Sequence, residues 1–378
     1  MSTHFLEETY TKLRQTSDLS FHQKVFVGLD GYIDLIQRAV KMQTADGPVY
    51  FESLKDFGDH ISGVAGKSAQ VELVTQEIKL GGNAPIMAQA MGSLGFPTFC
   101  IGNFGKDSIH HVFEAIHENV TLLSIGDSAM TNALEFHDGK LILSEVGPFK
   151  HLDWEYVKKV SGLKSLINSI NACSLIALVD WCNLPYSTDI WKGILEEIMP
   201  KIHEKERNFF FDIADPSRRS DSELGEALDV IGGYNRYGKA TLGLNENETE
   251  KVYSCLNRLN QIEEDPTISL IEKGQYIFKN ISVDTLLIHP TNRSISINNE
   301  GISELAGRFV QRPKISTGGG DNFNGGYCLG QMLGLDIESS MITGMANSGS
   351  YVQNGRSCTF GDLKDYISIW IKELNQIK

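Results

Sequence analysis

Ser316-Thr-Gly-Gly-Gly-Asp-Asn-Phe-Asn-Gly-Gly-Tyr-Cys-Leu-Gly330 is the stretch from which the rest of the chain is read. Three successive glycines, Gly318, Gly319 and Gly320, run into Asp321, and an apolar, helix-compatible run follows through Phe323, Tyr327, Leu329, Met332 and Leu333. Glycines let backbone N–H groups approach a ligand with no Cβ in the way. A helix that starts just after them adds unpaired N–H donors and the positive end of its dipole. That combination is a cradle for a phosphate. Asp321 stands at its mouth, where a carboxylate can take a proton from an attacking hydroxyl. The same residues also fit a plain Gly-rich turn in which Asp321 caps a helix, so the surroundings decide.

The chain has 378 residues, 41% hydrophobic and 22% charged, which suits one large α/β domain with an appendage. Its 34 Lys and Arg against 48 Asp and Glu give a net charge of −14. That excludes broad nucleic-acid or anionic-membrane binding. It also means that a phosphate ligand needs local donors and a divalent cation, because the overall field repels it. Six cysteines are scattered with no C-x-x-C pair, as reduced core thiols are. The N-terminus is acidic and lacks an apolar signal core, and no stretch reaches the ~18 apolar residues that span a bilayer, so a cytoplasmic protein is expected.

Outward from the opening stretch, the pattern is strand alternating with helix. Residues 4–19 read as an amphipathic helix. Val25–Val27 reads as a buried first strand whose exit, Gly28 to Asp34, carries Asp30 and Asp34. Ligands of open α/β sheets bind beyond the carboxyl ends of the strands, so both acids are placed to hydrogen-bond hydroxyls of a polyol; turn chemistry is the plainer role for Asp30-Gly31. Residues 41–79 read as irregular, with a strand at 49–51 and a helix at 52–62. Gly66-Lys67-Ser68 fails as a phosphate-binding P-loop, because Ile61 stands where its first glycine belongs. Gly81-Gly82 then opens a small-residue helix on which Asn83 is either a cap or a substrate contact. The next strand exits through Gly102, Gly105 and Asp107 into a helix expected near Ser108, whose His110-His111 read as surface histidines rather than a metal site. Asp138-Gly139 between two alternating runs marks a β-hairpin. Further strands exit at Asp180, at Asp212 and Asp215, and at Asn245 with Glu248, separated by helices expected at 154–170, 189–205, 222–230 and 249–262. Such alternation predicts a parallel sheet covered on both faces. The recurrence of acids and amides at the strand exits favours a site over turn chemistry.

In this order the motifs resemble those of the ribokinase-like (PfkB) carbohydrate kinase family, over nearly the whole chain. The resemblance is carried by Gly28-Leu-Asp30-Gly-Tyr-Ile-Asp34, Gly81-Gly82-Asn83-Ala84, Gly102-Asn-Phe-Gly105-Lys-Asp107, the hairpin at 131–145, Asn245-x-x-Glu248, and Thr317-Gly-Gly-Gly-Asp321-x-Phe323-x-x-Gly326. It implies a single three-layer α/β/α domain over residues 1–378 with a mainly parallel central sheet. A small β lid is implied at roughly 36–52 and 128–147. It implies transfer of a nucleotide's terminal phosphate to a hydroxyl of a sugar or related polyol. Asp321 would be the general base, and Gly318, Gly319 and Gly320 the anion hole. Asp30, Asp34, Gly82, Asn83 and Asp180 would hold the sugar. Asn245, Thr317, Gly318, Gly320 and Asn347 would bind the nucleotide, with Glu248 organising Mg²⁺ through water. A lid of this kind often doubles as a dimer surface in the family, which implies a homodimer.

Three departures bear on these expectations. Ile315 replaces an acid that helps hold a monovalent cation in the family, which makes K⁺ activation doubtful. Ile86 replaces an Asn near the sugar. Leu287-Ile-His289-Pro290-Thr291 replaces a Gly-rich strand exit and is more like the ADP-dependent branch, so ADP stands beside ATP as candidate donor. The departures also motivate a catalytically silent sugar- or nucleotide-binding relative, against which the retained Asp321 and its three glycines argue. A dehydrogenase of the dinucleotide-binding type would need G-x-G-x-x-G after the first strand, and Gly-Leu-Asp-Gly-Tyr-Ile does not match.

Overall fold

The computed structural model describes residues 3–203, 205–315 and 317–377; Ser316, the first residue of the quoted stretch, lies outside them. Fourteen strands run in chain order: β1 (Lys24–Gly28), β2 (Tyr32–Thr44), β3 (Gly47–Tyr50), β4 (Leu73–Gly81), β5 (Thr98–Gly102), β6 (Val120–Ser124), β7 (Ala129–Phe136), β8 (Gly139–Glu145), β9 (Cys173–Leu178), β10 (Asn208–Asp212), β11 (Lys239–Leu244), β12 (Thr285–Ile288), β13 (Arg293–Asn298) and β14 (Gly301–Ala306). Nine form one sheet in the order β14-β13-β12-β11-β10-β9-β1-β5-β6. From β12 to β6 every pairing is parallel, and β13 and β14 complete the sheet antiparallel.

The alternation of side chains along a strand builds two cores from this one sheet. Phe26, Ile176, Phe209, Phe211 and Leu242 point to one face, where the helices Trp154–Ser161, Leu163–Ala172, Asp221–Gly233, Glu246–Leu259 and Leu270–Asn280 cover them. Val25, Val27, Leu175, Ala177, Phe210 and Leu287 point to the other, under Thr3–Gln15, Asn83–Ser93, Gly319–Met332, Ile337–Asn354 and Phe360–Ile377. Each large side chain buried fully in this way is worth about 1.5–3 kcal/mol of transfer free energy. The three layers are those of a ribokinase-like fold.

The other five strands make a second, smaller sheet that projects from the first. Its spine is β2, paired with β3, β4 and β7, while β8 closes the hairpin on β7. A small apolar cluster of Ala39, Phe51, Phe57 and Leu134 holds it together.

Several local expectations are corrected. Leu73–Gly81, expected to be irregular, is strand β4, and most of its residues are exposed, so no buried face imposes an apolar alternation on it. Asp34, expected in an exit loop, lies on β2, which begins at Tyr32. The helix expected over 154–170 breaks at Gly162, which holds φ at +75°. The helix expected near Ser108 is only His111–Glu114. The helix expected over 189–205 is regular only from Ser187 to Gly193, then widens into a π-turn and tightens into a short 3₁₀ turn at Met199–Lys201, where Pro200 removes a backbone donor. All six cysteines are buried and free, as a reduced core requires. Among the described residues no helix is long and apolar enough to cross a membrane.

Candidate active site

The helix Gly319–Met332 sets the site. Its cap, Gly318, takes the left-handed conformation at φ +85°, where a side chain is disfavoured. Asn322 closes the first turn, its backbone N–H and its Nδ2 donating to the Gly318 carbonyl at 3.0 and 2.8 Å. The N–H groups of the first turn have no partner within the helix and point outward. Asp321 is buried within that turn. Burial pushes its carboxyl well above the usual carboxylate range, and the charges of Asp212 and Asp30 push further in the same direction. Thr317, next to the cap, is held twice. Tyr351 Oη donates to its carbonyl at 2.8 Å, and Lys140 Nζ of the small sheet donates to its hydroxyl at 2.5 Å.

A polar cluster is built where β1 and β9 end, β2 begins and the helix Asn83–Ser93 starts. Asp30 accepts from the N–H groups of Asn83 and Ala84, both at 2.7 Å, so its carboxylate caps that helix. Gly82, at φ +98°, is glycine because a Cβ there would strike Asp30 Oδ2 and the Tyr32 ring. Burial raises the Asp30 pKa to about 7 against those two hydrogen bonds, and Asp180 beside it is pushed well up by burial and by the Asp30 charge. Asp180 itself sits at φ 60° with one oxygen on Asn183 Nδ2 and the other, Oδ2, buried without a hydrogen-bond partner among the described residues. Asp34 is buried beside Gly81; burial raises its pKa, and Lys79, Thr131 and Lys140 pull it back. Asp30, Asp34, Gly82, Asn83 and Asp180 therefore come together as one polar wall.

An open cavity adjoins the same glycines. It has a volume of about 430 Å³ and is lined by Gly319 and Gly320, by Asn245, His289 and Phe323, and by the apolar Pro290, Val310 and Val352. His289 is half-buried, its ring stacked on Phe323 at 4.7 Å, and desolvation lowers its pKa to about 4, so the imidazole is neutral at physiological pH. Asn245 and Glu248 form a reciprocal cap at the start of Glu246–Leu259: Glu248 N–H donates to Asn245 Oδ1 at 2.9 Å and Asn245 N–H to Glu248 Oε2 at 2.8 Å. Burial and the Asp212 charge hold Glu248 well above its ordinary pKa.

Asn347 is not brought to this cavity. It is wholly buried, with its amide on the Asn322 carbonyl at 2.6 Å and its oxygen accepting from Cys358, so it fastens helices together while Met345, Ser348 and Gly349 face the cavity. Two residues entered the site without a sequence signal, and a third, Asp212, was marked in the sequence only as a strand-exit acid. Asp212 accepts from Asn324 Nδ2 at 2.8 Å, one turn beyond Asp321, and only the tertiary fold reveals that pairing. Lys140 looks like any polar residue of an alternating hairpin. Phe309 is 77% exposed at the cavity edge, in a segment with no periodicity to read. A larger cavity, about 630 Å³, lies at the opposite, amino-terminal edge of the sheet near Asn208, Lys239 and Thr285, away from these acids.

Asp321 at a helix start, the glycines before it, a polar wall on one side and an apolar cavity on the other are carried by a ribokinase-like α/β/α scaffold. Solved structures agree on the fold. Arabidopsis thaliana ribokinase complexed with ribose and ATP superposes with a TM-score of 0.62 over 92% of this chain and 98% of its own, at 13% identity. Escherichia coli phosphofructokinase-2 in complex with substrates and products gives 0.61 over 92% and 99%, at 12% identity. A ketohexokinase of Haloferax volcanii is 26% identical over 348 residues, 91% of each chain. The model of the prokaryotic ketohexokinase family matches residues 11–370, and the chain belongs to that family. It is accordingly a sugar kinase, a phosphotransferase with an alcohol group as acceptor.

Proposed function

We propose that the chain transfers the terminal phosphoryl group of ATP, bound with Mg²⁺, to a hydroxyl of a ketohexose. The observation that carries this reading is the placement of Asp321 in the first turn of a glycine-capped helix, between the polar wall and the apolar cavity. Asp321 takes the proton of the acceptor hydroxyl. The backbone N–H groups of Gly318, Gly319 and Gly320 receive the charge of the transferring group, already oriented before it arrives. Asp34 and Asp180 hold sugar hydroxyls, and the unpartnered Asp180 Oδ2 is the acceptor such a hydroxyl would satisfy. Asp30, with both oxygens on backbone donors, fixes the loop that carries Gly82 and Asn83. Thr317, Asn245 and the cavity beside them take the nucleotide.

Among the described residues no group of three or more His, Cys, Asp or Glu could cage a metal. The donor chemistry nonetheless suits Mg²⁺, which keeps several waters and leans on one or two carboxylates plus phosphates. Glu248, next to the charges of Asp212 and Asp215, is the residue that would hold it through water. The ion would neutralise phosphate charge. Ile315 offers no carboxylate to a monovalent cation, and no K⁺ requirement is included in the reading.

Asp321→Asn tests it. Turnover with fructose should fall by about 10²–10⁴-fold, while nucleotide affinity measured by calorimetry stays near that of the wild type. A matrix of ATP and ADP against ketohexoses, aldohexoses, pentoses and nucleosides identifies donor and acceptor together. No phosphoryl transfer from either nucleotide to any ketohexose would overturn the proposal.

A further inference from the structure

The transfer end of the site has an unbalanced charge. Asp30, Asp180, Asp212, Glu248 and Asp321 all lie buried around it, and the chain as a whole carries −14. A helix N-terminus contributes only about half a positive charge. The phosphates of a nucleotide need more, and the Lys140 amino group already stands at that point.

Lys140 follows the hairpin turn at the start of β8. The antiparallel ladder pairs it with Glu135, and the two-residue period sets it on the same face as Ser144 and Thr131, the face on which Asp34 of β2 lies. The small sheet thus presents a lysine and a sugar-side acid together. From there Lys140 Nζ reaches across 177 positions of sequence to Thr317 Oγ1, at 2.5 Å, beside the cap of the catalytic helix. The reach does not depend on a loose loop. The hairpin turn is tied to the segment that follows β3, with Asp138 accepting from Leu54 N–H at 2.8 Å and His137 N–H donating to the Glu52 carbonyl at 2.9 Å. Thr317 is equally fixed from the other side by Tyr351. Two anchored elements therefore meet through one ammonium group.

We infer that Lys140 is a catalytic residue of the lid: when the donor binds, its ammonium exchanges Thr317 Oγ1 for a non-bridging oxygen of the transferring phosphoryl group. This rests on the sugar kinase reading above. In the transfer, the acceptor oxygen bonds to phosphorus as its proton passes to Asp321. The bond to the leaving oxygen breaks with its electron pair remaining on the nucleoside diphosphate. Lys140 forms no covalent bond and keeps its protons; it neutralises charge that grows during the step. Because the charge is carried by the hairpin, full neutralisation exists only while the small sheet lies over the site. Closure and transfer are then one event, and water that enters an open site meets an underpowered catalyst.

The test uses the full chain with Mg·ATP and fructose, comparing wild type, Lys140→Met and Lys140→Arg. Loss of one transition-state donor costs about 10²–10³-fold in kcat, which is the fall expected for Lys140→Met. The KM for fructose should stay within about 3-fold, since the group acts on the transferring phosphoryl and not on the sugar. Lys140→Arg keeps the charge and should recover at least about tenfold of the loss. If Lys140→Met fails to fold by circular dichroism, Lys140→Gln is read the same way. A kcat within about 3-fold of wild type for the neutral variant overturns the inference, as does an equal loss in the arginine variant. A wild type that transfers nothing to fructose or any other ketohexose overturns the kinase reading instead, so the two failures are separable.

Discussion

Gly318 links backbone conformation to the proposed catalysis. At φ +85° a side chain is strained, and a Cβ would lie 2.8 Å from Tyr351 Oη and 3.2 Å from Ile86 Cγ2. Gly318→Ala must therefore either strain the cap by about 1–2 kcal/mol or push the loop off Tyr351. The second outcome moves the N–H groups of the anion hole, and displacement by about an ångström costs on the order of 10²-fold in rate. Steady-state kinetics should show kcat reduced by about that factor with the sugar KM little changed; an unaltered kcat would mean that these N–H groups do not meet the reacting phosphate. The residues that were legible in the sequence are of this kind. Gly318, Asp321 and Gly82 owe their identity to local backbone geometry, which a short motif records. Asn347 was not legible, because its role depends on which side of a buried helix it faces. Lys140 was not, because its partner lies 177 residues away.

At the scale of elements, the strands of the large sheet were legible because burial on both faces makes each an apolar run bounded by a polar exit. Cys173–Leu178 and Asn208–Asp212 show it, every residue but the first or second being buried. Strand β4 shows the reverse. Its residues Gln76, Glu77 and Ile78 are all exposed, and its existence follows from pairing to β2 rather than from its own pattern. The acids at the strand exits were legible as a group but not in their division of labour. Asp30 and Asp34 look equivalent in sequence, yet one caps a helix and the other lies on the small sheet near Thr131 and Lys140. The hairpin β7–β8 gives the prediction at this scale. Replacing residues 131–145 by a short linker removes Thr131 and Lys140 together and leaves the large sheet intact. The ratio of nucleotide hydrolysis to sugar phosphorylation should rise, by about tenfold or more if the hairpin excludes water. Measuring free phosphate and sugar phosphate in one reaction checks it, and an unchanged ratio would deny the hairpin a lid function.

At the scale of the whole molecule, the buried acids make stability and function oppose each other. Asp30 has a pKa of about 7 in the folded chain, and Asp180, Asp212, Glu248 and Asp321 are raised as well. In the unfolded chain such groups titrate near about 4. Between those values the folded state binds more protons than the unfolded one, so stability falls as pH rises through the folded pKa and is fully retained only below the unfolded value. Acids with depressed pKa values, such as Asp221 with Arg258 and Asp362 with Arg356, act with the opposite sign, losing stability as pH falls below the ordinary carboxylate range. They are solvent-exposed pairs and contribute little. The protein without ligands should therefore melt at a higher temperature near about pH 6 than near about pH 8.5. Asp180→Asn removes the carboxylate beside Asp30 and should flatten that slope. Mg²⁺ bound as proposed would bring positive charge to the ionised cluster, and cations that bind only the folded state stabilise it by mass action. The thermal shift they cause should be larger at the higher pH. A melting temperature that is constant or rises between those two pH values would show that the acids are ionised throughout, and that the cost of holding them together is met by the fold itself rather than by protons or bound cations.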